Sequence, residues 1–198
     1  MKKEWFEWIH SWCEATTQDD LPRVLLVGDS ITHGYQGAVR NALKGVCYVD
    51  YVATSYAIDS KMYNLLVENF VKDSRYDVIH FNHGLHGIHL SKRGYQSRMK
   101  KLLCRLEKQS KILLTTTTVV YTADNKRLHP NWNKRVQERN DVVWALATEK
   151  GYAVDDLYSV SLAIDKADRS NDGTHYESVG YERLAVSVAD SIKKVLGK

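Results

Sequence analysis

The chain has 198 residues, of which 43% are hydrophobic, and we expect one globular domain over residues 1–198. Its 28 Lys and Arg residues against 24 Asp and Glu residues leave a net charge of +4. These charges are scattered along the chain, so we expect no nucleic-acid partner. No apolar run approaches the roughly 20 residues that span a bilayer, and we expect no membrane partner. As it stands the sequence predicts a cytoplasmic protein, or a secreted or periplasmic one if a signal peptide has been removed.

The N-terminal segment, residues 1–20, is rich in aromatic side chains. Trp5, Trp8, Ile9 and Trp12 recur at helical spacing. This pattern predicts an amphipathic helix over residues 3–14, packed on the body of the domain.

Short apolar runs typical of buried strands alternate with helical patterns along the rest of the chain. Because continuous apolar runs suit strands buried on both faces, the alternation predicts a mostly parallel, five-stranded sheet between two layers of helices. The predicted strands are Arg23–Gly28 and the runs CYVDYVAT, YDVIHFN, KILLTTTTVV and YAVDDLY, and the clearest helices are Tyr95–Gln109, Asn131–Gly151 and Val179–Leu196.

The loop GDSITHG directly follows the first of these strands. Ligands bind outside the carboxyl ends of parallel strands, and a serine at a strand-to-helix turn lies beside a helix N-terminus that favours developing negative charge. Ser30 is therefore placed like a nucleophile. The alternative is that Asp29 or Ser30 only caps the next helix.

The second loop of interest is DGTH, which precedes the last predicted helix. A serine hydroxyl needs an adjacent base, usually an imidazole whose other nitrogen is held by a carboxylate. Asp172 and His175 can supply both groups from one tight loop.

The run HFNHGLHGIH, His80–His89, contains four histidines at a spacing of three. Zinc sites use clustered histidines, but Gly84 and Gly87 disfavour a helix here. On a strand, this spacing sends successive side chains to opposite faces. We therefore expect no metal and no other cofactor.

GDSIT, DGTH and the helix through Asn140 that leads to VDDLY together resemble the SGNH hydrolases, also called the GDSL esterase and lipase family. The resemblance covers about residues 21–196. It implies a three-layer α/β/α, flavodoxin-like fold with Ser30 as nucleophile, His175 as general base and then acid, and Asp172 orienting His175.

The resemblance also implies an oxyanion hole, formed in the family by the serine N–H, a glycine N–H and an asparagine side chain. Here the second position matches Ala57. At the third, aligning the strand and its following loop places His86 where the family has asparagine, and an imidazole N–H can donate as an amide does. The competing choice is Asn82, which keeps the residue type but lies four positions earlier.

The implied activity is hydrolysis of carboxylic esters, most simply as a carbohydrate O-acetylesterase with a small-molecule or glycan ester as substrate. Trp132, Tyr121 and Tyr56 could provide stacking faces for a sugar. We expect Asp29, His33 and Tyr56 to line the substrate site, although plain packing is an equal alternative for His33 and Tyr56. The alternatives are a lysophospholipase or thioesterase of the same family, an inactive binding module with this fold, and a metal-dependent hydrolase.

Overall fold

The structure, a computed structural model, describes residues 3–198, which form six strands and six α-helices. The strands are β1 (Ile9–Trp12), β2 (Arg23–Gly28), β3 (Tyr48–Thr54), β4 (Val78–Asn82), β5 (Lys111–Thr115) and β6 (Ala153–Asp155). The helices are α1 (Ser30–Ala42), α2 (Lys61–Asp73), α3 (Lys92–Leu106), α4 (Pro130–Lys150), α5 (Leu157–Leu162) and α6 (Ser178–Leu196), with a short 3₁₀ helix at Lys166–Asp168.

The strands form one sheet in the order β1-β3-β2-β4-β5-β6. The five predicted strands are confirmed, and all four pairings among them are parallel. The fourth predicted strand, KILLTTTTVV, is shortened to β5, because the chain leaves the sheet after Thr115. Val119 and Val120 instead donate their N–H groups to the side chains of Ser161 and Asn133.

The predicted N-terminal helix is wrong. Residues Ile9–Trp12 form β1, an antiparallel sixth strand on the edge of β3. The added strand pairs with backbone groups that would otherwise be open at this edge. The aromatic residues do not form a buried helical face, since Trp5 is 98% exposed. Residues 1 and 2 of the predicted segment lie outside the described part of the chain.

Alternating strand residues build two apolar cores, one on each face of the sheet. Leu26 faces α1 and α6, whereas its neighbour Leu25 faces α2, α3 and α4. Helices therefore cover both faces, and the three-layer α/β/α fold predicted from the sequence is confirmed. The carboxyl ends of β2, β3 and β4 lie side by side, so the loops after these strands meet at one edge of the sheet.

The loops after β4 and β5 are in close contact at this edge. A Cβ atom at Gly84 would lie 1.7 Å from Oγ1 of the buried Thr117. The backbone of Thr117 is itself fixed, because the Asn140 side chain accepts its N–H at 2.7 Å and donates to its carbonyl at 3.1 Å. Glycine at position 84 therefore allows the loop after β4, residues 83–91 and here called the histidine loop, to pack closely against Thr117, whose backbone is fixed.

We expect Gly84→Ala to lower the free energy of unfolding by about 1–3 kcal/mol, because the added methyl group overlaps Thr117. Gly37→Ala is the matched control, since a Cβ there meets no atom of residues 3–198 within 4 Å. In the interior of α1 it should raise the free energy of unfolding by about 0.5–1 kcal/mol. Denaturant unfolding measures both, and a Gly84→Ala protein as stable as wild type would contradict this packing.

Candidate active site

Ser30 is the first residue of α1 and directly follows β2 and the cap residue Asp29. The Asp29 carboxyl accepts the N–H of Ile31 at 3.1 Å, which caps the helix. A Cβ atom at Gly28 would lie 2.4 Å from the carbonyl oxygen of Asn82, so only glycine fits this tight turn. Strand, turn and helix therefore fix Ser30 at the edge of the sheet.

The DGTH loop brings the other two predicted residues to Ser30. His175 Nε2 lies 2.8 Å from Ser30 Oγ, and His175 Nδ1 lies 2.5 Å from Asp172 Oδ2. The other Asp172 oxygen accepts the N–H groups of Thr174 and His175 at 2.8 and 2.9 Å. The structure thus joins Asp172, His175 and Ser30 in one hydrogen-bonded row.

The protonation pattern of this row follows from its hydrogen bonds. Partial burial opposes the charged form of Asp172, but the bonds from His175 and Thr174 outweigh it and hold the pKa of the carboxyl below its usual range. The ionised carboxylate can only accept, so the proton of neutral His175 is on Nδ1. Nε2 is then free to accept the Ser30 hydroxyl proton.

Two of the predicted oxyanion donors are backbone N–H groups. Within residues 3–198, neither the N–H of Ser30 nor that of Ala57 donates to another protein group. The Ala57 carbonyl accepts from Ser60 at 2.8 Å, which fixes the turn. Positive φ outside glycine is confined, in the described chain, to Ala15 and Asn125, so alanine at position 57 carries no such strain.

The two candidates for the side-chain donor lie in different environments. Asn82 is the last residue of β4, is 2% exposed and donates to the Tyr35 hydroxyl at 3.3 Å. Its amide is therefore engaged in the core beneath the site. His86 lies in the loop beyond the strand, and its Nδ1 is 2.9 Å from Glu4 Oε1.

The four histidines of the run have four different surroundings. His80 is fully buried and its Nε2 lies near Thr115 and Asp155, at 2.8 and 3.2 Å. His83 is buried beside the backbones of Gly28 and Tyr56, and burial lowers its pKa to about 4, so it is neutral at neutral pH. His86 and His89 each meet a separate carboxylate, Glu4 and Asp59 respectively. No group of three or more His, Cys, Asp or Glu side chains suited to a metal ion occurs among residues 3–198.

The predicted substrate-binding residues differ in what they offer a ligand. Asp29 is 1% exposed, and its oxygens accept the N–H groups of Ile31 and Leu85. This corrects the prediction, because Asp29 holds backbone and presents no free oxygen to a substrate. His33 is exposed and stacks on His10, with ring centroids 4.3 Å apart. Tyr56 is half-buried on the core that faces α2 and α3.

Two of the three aromatic residues predicted to stack on a sugar, Tyr121 and Trp132, have contacts within the fold. The Arg169 guanidinium covers the Tyr121 ring at 3.8 Å from its centroid. Trp132 packs against the core that faces α1 and α6. One face of the Tyr121 ring is therefore covered, but both side chains stay partly exposed, and the stacking role remains a prediction.

The N-terminal segment adds residues to the site that the sequence did not indicate. It lies over the loops after β3 and β4, where Glu7 Oε2 accepts from the Ser55 hydroxyl at 2.8 Å and Glu4 contacts His86. A cleft of about 560 Å³ opens between this segment and the two loops, lined by residues that include Glu4, Trp5, Ala57, Gly87 and Ile88. The cleft therefore reaches Ala57, one of the predicted oxyanion residues.

A second group that sequence reasoning missed is Arg139 on α4. It is 2% exposed, stacks over the Tyr95 ring and donates to the carbonyls of Gly87 and Leu90, both at 3.1 Å. It thus holds the far end of the histidine loop. The only signal was an arginine beside Asn140 in an otherwise amphipathic helix, which is too common to identify a loop anchor.

No family model matches the sequence, and no curated protein does. Solved structures do match. A carbohydrate acetylesterase family member from Sinorhizobium meliloti superimposes with a TM-score of 0.71 at 16% identity, over 89% of this chain and 100% of that one. A lipase/acylhydrolase from Enterococcus faecalis gives 0.70 at 17% identity, over 87% and 96%. A protein from Slackia heliotrinireducens described as an SGNH hydrolase gives 0.69 at 15% identity, over 87% and 100%.

No helix among residues 3–198 is long and apolar enough to cross a membrane.

The three structural matches extend over almost the whole chain. The resemblance carried by the GDSIT and DGTH blocks is therefore confirmed at the level of architecture: the protein has the α/β/α fold of the SGNH hydrolases.

Proposed function

We propose that the protein is a serine esterase that cleaves carboxylic esters through an acyl-enzyme intermediate. The observation that carries the proposal is the row from Asp172 through His175 to Ser30, with hydrogen-bond lengths of 2.5 and 2.8 Å. Nucleophile, base and orienting carboxylate in contact are the arrangement that activates a serine hydroxyl.

In the acylation step, Ser30 Oγ attacks the ester carbonyl carbon and its proton passes to His175 Nε2. The imidazolium that forms is stabilised by the Asp172 carboxylate. The carbonyl oxygen becomes an oxyanion beside the N–H groups of Ser30 and Ala57 and the ring of His86, which lower the barrier where the charge develops. His175 then gives the proton to the leaving alcohol as the C–O bond breaks, and the acyl group stays on Ser30.

Deacylation repeats these steps with water. His175 Nε2 takes a proton from the water as its oxygen attacks the acyl carbon, and the same donors hold the second oxyanion. The proton returns to Ser30 Oγ as the acid leaves. Because His175 is 38% exposed, water can reach it without a structural opening.

We further propose that the alcohol part of the substrate is a carbohydrate and the acyl group is acetyl. Trp5, 98% exposed, presents an indole face on the cleft that begins at Ala57. An aromatic face beside carboxylates matches a sugar ring, which has an apolar C–H face and hydroxyl groups at its rim. The similar structures include a carbohydrate acetylesterase family member, in line with this assignment, and a lipase/acylhydrolase, which keeps a lipid or thioester substrate as the alternative.

The first test replaces the nucleophile. Ser30→Ala should lower kcat for p-nitrophenyl acetate by about 10⁴- to 10⁶-fold, as loss of a triad serine does. Ser178→Ala is the matched control, because Ser178 is also the first residue of a helix and is exposed. Activity that persists in Ser30→Ala would contradict the serine mechanism, and loss of wild-type activity with EDTA would indicate a metal. A wild type inert toward a range of acyl esters would favour a binding module.

The second test separates the two side-chain donors. His86→Ala should lower kcat by about ten- to a thousandfold, the effect of removing one oxyanion donor. Asn82→Ala should chiefly lower the free energy of unfolding, by about 1–2 kcal/mol, because it removes one of the two hydrogen-bond partners of the buried Tyr35 hydroxyl, which keeps Thr32 Oγ1 at 2.9 Å. Initial rates and denaturant unfolding of both variants decide the matter. A large loss of kcat in Asn82→Ala, with His86→Ala unaffected, would assign the role to Asn82.

The third test concerns the sugar. Trp5→Ala should raise KM for an acetylated xylo-oligosaccharide by about three- to tenfold and leave KM for p-nitrophenyl acetate nearly unchanged, since only the larger substrate reaches the indole. Trp12→Ala is the control, because Trp12 is also on the N-terminal segment but lies against Arg40, outside the cleft. Equal effects of the two variants on the oligosaccharide would contradict a sugar site at Trp5.

A further inference from the structure

The contact between Glu4 and His86 determines what His86 can do. Glu4 Oε1 lies 2.9 Å from His86 Nδ1, and the hydrogen bond from His86 outweighs partial burial in holding the pKa of Glu4 below its usual range. Glu4 is therefore ionised near neutral pH and can only accept. The Nδ1 atom of His86 must carry the proton of this bond.

This bond has a consequence for the other ring nitrogen. If His86 is neutral, its single proton is on Nδ1, and Nε2 presents a lone pair. A lone pair repels an oxyanion, so neutral His86 held by Glu4 cannot serve as a donor through Nε2. Only the imidazolium, with a proton on each nitrogen, can donate to Glu4 and to an oxyanion together.

Nε2 is available for this role. Within residues 3–198 it makes no protein hydrogen bond, and it is not among the buried unpaired atoms, so it is open to a ligand. The Trp8 ring meets His86 edge-on at 6.1 Å between centroids, and the His83 ring lies 6.0 Å away on the loop side. These neighbours hold the ring plane while Glu4 holds one nitrogen.

We propose that Glu4 is a positioning residue that keeps His86 as an imidazolium, so that the oxyanion hole contains a cationic donor in place of a neutral amide. The proposal rests on the esterase function above. No proton is gained or lost in the catalytic cycle: His86 is charged before the ester binds and remains charged when the oxyanion collapses.

The charges that face His86 agree with this assignment. Burial favours the neutral ring, but the hydrogen bond to Glu4 and the carboxylates of Asp29, Glu4 and Glu7 outweigh it, and the pKa of His86 is raised above its ordinary value of 6.5. His83 opposes the charge only weakly, since it is itself neutral near pH 7. The imidazolium is therefore the main form up to a higher pH than for a free histidine.

The test is the pH dependence of kcat for p-nitrophenyl acetate. The rate should fall as the pH rises through the raised pKa of His86, because deprotonation removes the Nε2 donor. Glu4→Gln keeps an oxygen acceptor but removes the charge, so the alkaline fall should move to lower pH. On the alkaline side the variant should lose about tenfold in kcat, the lower end of the effect of one oxyanion donor.

Two further variants make the result specific. His86→Asn supplies an amide donor, as the SGNH family pattern has at this position. This variant should remain active and should not lose kcat at high pH. Adding Glu4→Gln to it should leave the pH dependence of kcat unchanged. Asp59→Asn is the matched control, because Asp59 pairs with His89 at 3.1 Å in the same way but outside the row of catalytic groups. It should leave the alkaline fall in place.

Nuclear magnetic resonance titration of the His86 ring gives a readout that needs no turnover. Its midpoint should fall in Glu4→Gln and not in Asp59→Asn. The proposal would be overturned if the His86 midpoint did not move in Glu4→Gln. It would also be overturned if the midpoint moved but the pH dependence of kcat did not. If wild type cleaves no ester, the proposed function fails and the catalytic role of Glu4 fails with it, while the titration still reports whether the pair exists.

Discussion

The arrangement of the candidate active site depends on the carboxyl group of Asp29, which connects the start of α1 to the loop after β4. This group is almost completely buried, and a buried carboxyl is costly unless its oxygens are hydrogen-bonded. One oxygen accepts from Ile31 at the start of α1, and the other accepts from Leu85 in the loop after β4, at 3.3 Å. A single side chain thus fixes the turn that carries Ser30 and the loop that carries His86. The N-terminal end of a helix favours this placement.

Around this anchor, neighbouring loops are held by separate contacts. Asn140 holds the loop after β5, Arg139 holds the end of the histidine loop, and Gly84 lets these loops touch. Strand pairing supplies the scaffold, because β2 lies between β3 and β4. These buried contacts fix Ser30 and the histidine loop, whereas His175 belongs to the DGTH loop and is partly exposed to solvent.

Much of the fold could be predicted because its strands are short apolar runs that differ clearly from the helices between them. The serine, histidine and aspartate could be predicted because each belongs to a local block with its own chemistry. The N-terminal segment could not, since Trp5, Trp8, Ile9 and Trp12 fit helical spacing and nothing local signals the open edge of β3. The helix cap at Asp29 was one of the alternatives from the sequence, but its contact with the next loop was hidden, because Leu85 is 56 residues away. The choice between Asn82 and His86 depends on where β4 ends, which hydrophobic pattern does not resolve to one residue.

The even spacing of the four histidines carries no common function in this structure. His80 lies in the sheet, His83 in a buried position beneath the loops, and His86 and His89 each beside its own carboxylate. The N-terminal segment sets His86 apart from the other three, because Glu4, 82 positions away in the sequence, forms a hydrogen bond with its Nδ1. The N-terminal segment thus adds an edge strand to the sheet and also contributes Glu4 to the candidate active site.

The proposed mechanism requires that Ser30 carries the acyl group. Wild-type protein quenched in acid during steady-state turnover of p-nitrophenyl acetate, then digested and analysed by mass spectrometry, tests this directly. We expect an acetyl group on the peptide that contains Ser30, and on no other peptide in proportion to turnover. Sustained turnover without acetylated Ser30, in wild type and in a variant with slowed deacylation, would contradict the account.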